Sequence, residues 1–231
     1  MKYVVIGIDN NPKYTVYKRL VETMWEHFGW RVFWLHSGPE ELLNENISAA
    51  TFAQVSRLYA AAWPNIGDSD YLMTSDADML PLSDYWQTQD QFTSWGRDLT
   101  DYHYPMCYLG GYAFLWRKVM GIESDAITAM NRDVRIQKNM WVLDQDIVTE
   151  KINEFRKSNP LVLIARGTSK ATGYPVGRLD RSAWKFTGFE SFIDCHLPHD
   201  YTTNEKSRRN VDTLCQWIEK KYQIKLPPIA C

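Results

Sequence analysis

Asp76 and Asp78 stand one residue apart, directly after the apolar run Tyr71 to Met73 and just before Met79-Leu80-Pro81-Leu82. Such a run reads as a buried strand, and open α/β sheets bind ligands outside the carboxyl ends of their strands. Two carboxylates delivered there suit a hard divalent cation, which is most useful for holding and activating a diphosphate. The tripeptide alone is weak, because Asp-x-Asp recurs at Asp68/Asp70 and at Asp144/Asp146. Context separates the pairs: Asp68/Asp70 lies in a Gly-containing turn and reads as a solvated loop, whereas Asp76/Asp78 ends a strand. The competing reading of Asp76/Asp78 is a pair of solvated or helix-capping carboxylates.

The elements that must position these acids follow from local pattern. Tyr3 to Ile8 reads as a first buried strand, ended by the turn residues Asp9-Asn10-Asn11-Pro12. Tyr17, Leu20, Val21, Met24 and Phe28 recur at helical spacing with Gly29 as a stop, and Arg31 to Leu35 makes a second strand. Phe52, Val55, Tyr59 and Ala62 outline a second helix closed by Pro64, and Tyr71 to Ser75 is the third strand. This alternation predicts an α/β fold with a mostly parallel central sheet, right-handed crossovers and flanking helices. Beyond it, the pattern predicts a strand over Tyr112 to Trp116 after Gly110-Gly111, a helix over Trp141 to Phe155, and a strand over Leu161 to Ala165. Arg166 to Lys185 reads as a long loop, a substrate cover or merely mobile. Phe189 to Asp194 reads as a last strand, and Val211, Leu214, Cys215, Ile218 and Tyr222 mark an amphipathic helix.

A chain of 231 residues with 45% hydrophobic content can bury one sizeable core, and a net charge of -2 provides no global field for nucleic acid or anionic lipid. Four cysteines without C-x-x-C spacing form neither a disulfide scaffold nor an obvious metal site, which favours a reducing compartment. The apolar run at the N-terminus is too short for a signal peptide, and no run reaches transmembrane length. The expectation is a soluble, cytoplasmic protein with no nucleic-acid partner.

Four features stand in order: the strand ending Ile8-Asp9-Asn10-Asn11, Ser56-Arg57-Leu58-Tyr59 on a helix, Asp76-Ala77-Asp78, and Leu143-Asp144-Gln145-Asp146. As a set, over about residues 1 to 155, they resemble a glycosyltransferase of the GT-A fold, nearest in pattern to the retaining family that includes glycogenin and bacterial galactosyltransferases. The resemblance implies one domain over residues 1–231, with a nucleotide-binding half (1–80) ending in Asp-Ala-Asp and a sugar- and acceptor-binding half (81–231). It implies that Asp78 binds Mn²⁺ (or Mg²⁺) directly and that Asp76 shares the metal or holds the ribose. Asp9, Asn10 and Tyr14 would surround base and ribose, and Arg57 would point toward the donor, unless it is an ordinary exposed helix arginine. Gly110 and Gly111 would let the backbone approach the donor sugar, or mark a turn. Asp144 and Gln145 would contact sugar hydroxyls near the anomeric carbon, or simply face the dipole of a helix start.

The last third departs from the family pattern, which has a metal histidine followed by a Gly and a Lys-Pro-Trp. Here only Cys195-His196-Leu197-Pro198-His199-Asp200 stands in that region. His196 occupies the place of the metal histidine and His199 competes with it, each alternatively structural. Lys206, Arg208 and Arg209 are candidates for the diphosphate counter-charge, or decorate a solvated helix start. In its tail-free layout the chain is also similar to the glycosyltransferases that large algal viruses use on their capsid protein, a likeness of layout and not of motif.

The reaction implied is transfer of a sugar from a nucleotide diphosphate sugar, UDP-linked by family frequency, to a carbohydrate or glycoprotein hydroxyl. Retention would use the donor phosphate as base, whereas inversion would need a carboxylate such as Asp144 or Asp146. A haloacid-dehalogenase-like phosphatase also places Asp-x-Asp after a strand, but usually the first strand, with Thr or Val where Leu80 stands. A sugar nucleotidyltransferase lacks its Gly-rich loop here, and a non-catalytic carbohydrate-binding protein leaves the ordered acids unexplained.

Overall fold

Lys2–Ile8 forms strand β1, and Asn11 stops it by capping helix α1 (Pro12–Thr15), with Pro12 in the first turn where no N–H is needed. Helix α2 (Lys18–His27) buries Leu20, Val21, Met24 and Trp25, the apolar stripe of its 3.6-residue period. Gly29, at φ +75°, supplies the left-handed turn into β2 (Arg31–His36). Ser48 caps α3 (Ala49–Val55), which runs directly into a 3₁₀ helix at Ser56–Ala62. Then follow β3 (Tyr71–Thr74), β4 (Met79–Pro81), β5 (Phe92–Ser94), β6 (Leu109–Tyr112), α4 (Ala113–Met120), α5 (Ala126–Val134) and α6 (Leu143–Ser158). The chain continues through β7 (Leu163–Ala165), β8 (Arg178–Leu179), a 3₁₀ turn at Phe189–Ser191, β9 (Asp194–His196) and α7 (Glu205–Tyr222). The computed structural model describes residues 1–37, 47–95, 103–134, 142–159, 163–165, 177–181, 184 and 188–229.

The fold is mixed α/β. A six-stranded sheet runs β2-β1-β3-β6-β5-β7, with β6 antiparallel to both neighbours and the other pairings parallel. The chain leaves β1 for β2 on one side and returns to β3 on the other. The crevice beyond the carboxyl ends of β1 and β3 is therefore the topological switch point, where such sheets bind ligands. Alternation along β1 splits the core: Val4, Ile6 and Ile8 pack with Leu20, Met24 and Ile218, whereas Val5 packs on the opposite face with Phe52, Val55 and Ile147. Gly7 permits the close approach of α3, since a Cβ there would overlap the Ala53 carbonyl oxygen.

A three-stranded sheet, β4-β9-β8, lies beside the first. β4 is antiparallel to β9, with Met79 opposite His196, and the Leu197 N–H donates to the Asp78 carbonyl at 2.8 Å. The buried Tyr17 hydroxyl donates to the Pro198 carbonyl at 2.6 Å across 181 residues of sequence. These two tethers bring the far end of the chain to the end of β3.

Several expectations shift. The helix read through Phe52 to Ala62 divides at Ser56, and Ser56 through Ala61 are all buried, so no polar face marks its period. In the apolar run Tyr112 to Trp116 only Tyr112 belongs to a strand, as the end of β6, while Ala113 to Trp116 begin helix α4, which Gly121, at φ +60°, ends. Five apolar residues fit either geometry, and Ala113, Trp116 and Met120 settle it by facing one core. The strand read over Phe189 to Asp194 is a 3₁₀ turn followed by β9. Asp70 is not solvated: it is buried and accepts from the Met1 amino group and from Gly67 N–H, while Asp68 is exposed beside Arg117. The loop read over 166–185 lies outside the described residues except at 177–181 and 184, and so do Trp141, Leu161 and Val162. Among the described residues no helix is long and apolar enough to cross a membrane.

Candidate functional site

A cavity of about 820 Å³ opens at the carboxyl ends of β1 and β3. Asp78 lies in its wall, 3% exposed, and one oxygen, Oδ2, gathers three neighbours: His199 Nε2 at 2.8 Å, His196 Nε2 at 3.2 Å and Arg181 Nη1 at 3.1 Å. Arg181 Nη1 also contacts His199 Nε2. The β4–β9 pairing delivers His196, and the Pro198 tether to Tyr17, with the edge of Tyr14 against the His199 ring, delivers His199.

Burial alone would raise the Asp78 pKa, yet hydrogen bonds from His196 and His199 overcome it and hold this carboxyl well below the usual range. Burial likewise opposes protonation of His196, but the Asp180 and Asp78 carboxylates outweigh it and carry its pKa up to about 9. Asp78, His196 and His199 offer one carboxylate oxygen and two imidazole nitrogens within 4.8 Å of one another, a set that could hold a divalent metal ion. The Asp180 carboxylate lies 3.5 Å from His196 Nδ1, where an outer partner of a metal-bound imidazole would stand. The residues therefore fit a cation.

Arg57 also lines the cavity. Its Nη1 donates to the Ser75 carbonyl at 2.9 Å and to Asp76, and its Nη2 donates to Asp144 Oδ2 at 2.7 Å. Asp144 Oδ1 accepts from Gln54 Nε2 at 3.0 Å and from the Gln145 N–H at 2.9 Å. Burial raises the Asp144 pKa while the Arg57 guanidinium opposes that rise. Asp76 keeps an open side chain toward the cavity, and Gln145 also lines it, with a buried Oε1 that has no hydrogen-bond partner. The Tyr14 phenol, also in the wall, is pushed up by burial and by Asp78.

Most residues expected at the site meet there: Asp9, Tyr14, Arg57, Asp76, Asp78, Asp144, Gln145, His196 and His199 all line the cavity. Arg57 is buried and ion-paired, not an exposed helix arginine. Asp76 is committed to Arg57, so it stands apart from the Asp78 cluster. Asn10 is exposed and outside the lining; its neighbour Asn11 lines it instead. Asp146 turns to His103, 2.8 Å away, and does not line the cavity. Gly110 and Gly111 lie inside β6, where a Cβ would meet the Trp95 ring and Tyr71 hydroxyl, or the Phe92 ring, so their small size serves packing within the sheet. Lys206, Arg208 and Arg209 are exposed on α7, with Arg208 donating to the Thr202 carbonyl and Arg209 beside Glu205. Sequence reading missed Arg181, Asp180 and Gln54. The first two sit in a stretch without periodicity, and Gln54 interrupts an otherwise apolar helix, the one signal that could have marked it.

No family model and no curated protein matches the chain. Among solved structures it is similar to a glycosyltransferase involved in the glycosylation of the major capsid of PBCV-1, at 11% sequence identity and a TM-score of 0.47, over 92% of this chain and 98% of that one.

Proposed function

We propose that this protein is a metal-dependent glycosyltransferase that moves a sugar from a nucleoside diphosphate sugar, with UDP the first candidate, to a hydroxyl of a carbohydrate or glycoprotein. The observation that carries this reading is the Asp78, His196 and His199 set facing a large cleft at the switch point, beside an arginine that bridges two further acids. Those three residues would hold the cation, and their two imidazoles favour Mn²⁺ over Mg²⁺. Once bound, the cation would supply Lewis-acid stabilisation of the departing diphosphate.

In this reading residues 1–80 are the nucleotide-binding half and 81–231 the sugar and acceptor half of one domain. Asp9 and Tyr14 surround base and ribose, and the open carboxylate of Asp76 receives a ribose hydroxyl. Gln145 accepts from a sugar hydroxyl through the oxygen that has no other partner. Both oxygens of Asp144 are engaged by Arg57, Gln54 and the Gln145 N–H, and Asp146 is paired with His103, so neither is free to act as a base. That favours retention, in which a donor phosphate oxygen takes the acceptor proton and the protein contributes chiefly positioning and charge.

The test is turnover of UDP-, GDP-, CDP- and dTDP-sugars with and without Mn²⁺, together with Mn²⁺ titration of Asp78→Ala. The expected results are metal-dependent sugar release or transfer, and a loss of Mn²⁺ affinity of more than about 100-fold, beyond the range seen for outer partners of metal ligands. Unchanged affinity in Asp78→Ala removes the residue from the site. Preferred hydrolysis of simple phosphate monoesters, or nucleotide-sugar binding without turnover, rejects the transferase.

A further inference from the structure

We infer that Arg181 is an internal stand-in for the cation, held by Asp78 until a divalent ion displaces it, and that the displaced guanidinium then engages the diphosphate, so that metal and nucleotide bind cooperatively. This rests on the donor-pocket reading above and goes beyond it, because it assigns a role to a residue outside the acid motif and the histidines.

The guanidinium contacts two of the three groups that would ligate the ion, and on Asp78 it uses the same oxygen that both imidazoles approach. The buried Asp78 carboxylate is held by the His196 and His199 imidazoles, and Arg181 adds a third contact at the same oxygen, one that a bound ion would replace. An ion at that oxygen and a guanidinium 3.1 Å away would repel each other across a site of low dielectric. Occupancy by the ion therefore weakens the hold of Asp78 on Arg181.

The side chain is built to leave. It is 36% exposed and lies two residues beyond β8, whose backbone is pinned by Arg178, buried against Asp194 with Nη2 to Oδ2 at 2.8 Å. A long stem on a fixed backbone can swing without unfolding anything. It also has a destination. Among the described residues the basic side chains in the cavity wall are Arg57, Arg178 and Arg181, and the first two are 8% and 3% exposed and committed to carboxylates. Of these three guanidiniums Arg181 is the one with access to the cleft, and its planar fork matches phosphate oxygens. Loss of the Asp78 contact opposes metal binding, the new phosphate contact returns that free energy, and linkage makes the coupling reciprocal.

Mn²⁺ titration followed by the electron paramagnetic resonance of the free ion, with and without saturating UDP, tests this on wild type, Arg181→Gln and Arg181→Lys, each shown to be folded by circular dichroism. Wild type is expected to bind Mn²⁺ weakly alone and about 10-fold more tightly with UDP. Arg181→Gln is expected to bind Mn²⁺ alone about 10-fold more tightly than wild type and to gain less from UDP, while Arg181→Lys keeps the weak binding. Equal or weaker Mn²⁺ binding by Arg181→Gln alone, or none in any protein, overturns the inference. The donor-pocket reading fails separately: UDP and UDP-sugars then neither bind nor react, although Mn²⁺ still distinguishes Arg181→Gln from wild type.

Discussion

Arg57 and Arg181 each pair with one acid of the same Asp-Ala-Asp motif, Asp76 and Asp78 respectively, in the wall of one cavity. Arg57 is 8% exposed and spends both terminal nitrogens, joining a strand-end carbonyl, Asp76 and an Asp144 that is 87 residues distant in sequence. Arg181 is 36% exposed and meets Asp78 through a single nitrogen. Burial is what separates them. A guanidinium withdrawn from water cannot leave its carboxylates without a large desolvation cost, so Arg57 is architecture, whereas Arg181 exchanges its contacts for water or for a ligand.

Three substitutions probe that contrast. The largest effect is expected from Arg57→Met, which strands the buried Asp144 carboxylate and should cost about 3–5 kcal/mol in urea unfolding. A loss below about 1 kcal/mol would mean that Arg57 is as replaceable as a surface arginine. Asp180→Asn comes next: if its carboxylate orients His196 for a cation, Mn²⁺ affinity should fall about 10- to 100-fold by calorimetry. No change would leave the β4–β9 pairing as sufficient to aim that ring. The smallest effect is expected for Arg181→Gln in the absence of ligands, where stability should shift by no more than about 1 kcal/mol. A loss of several would place both arginines in one class.

The wall around Arg57 was partly legible because its parts are local. An apolar run, turn residues and an acid pair at a strand end signal the ends of β1 and β3 over a few residues each, and Arg57 and Asp144 came with the ordered motif set. What the sequence did not show is that these two residues bind each other and bind Asp76, since a fully buried 3₁₀ segment has no polar face to reveal which way Arg57 points. The wall around Arg181 was less legible. His196 and His199 were both candidates, but their convergence on Asp78 depends on β9 docking against β4, a pairing of two three-residue strands with no alternating pattern to fix it. Gly110 and Gly111 show the converse error: small residues next to a candidate site were read as room for a ligand, and the room is filled by Trp95 and Phe92.

His199 reaches Asp78 across 121 residues, and the Tyr17–Pro198 tether spans 181. Closing chain segments of that length comes at an entropic cost that local contacts do not carry, so docking of β9 is among the topologically demanding steps of folding. A polypeptide whose large sheet has formed but whose distal segment is still loose would possess both motif acids and neither imidazole. Any ion captured there would act as a clasp, favouring the finished conformation by mass action and making completion of the chain's assembly a precondition for its chemistry.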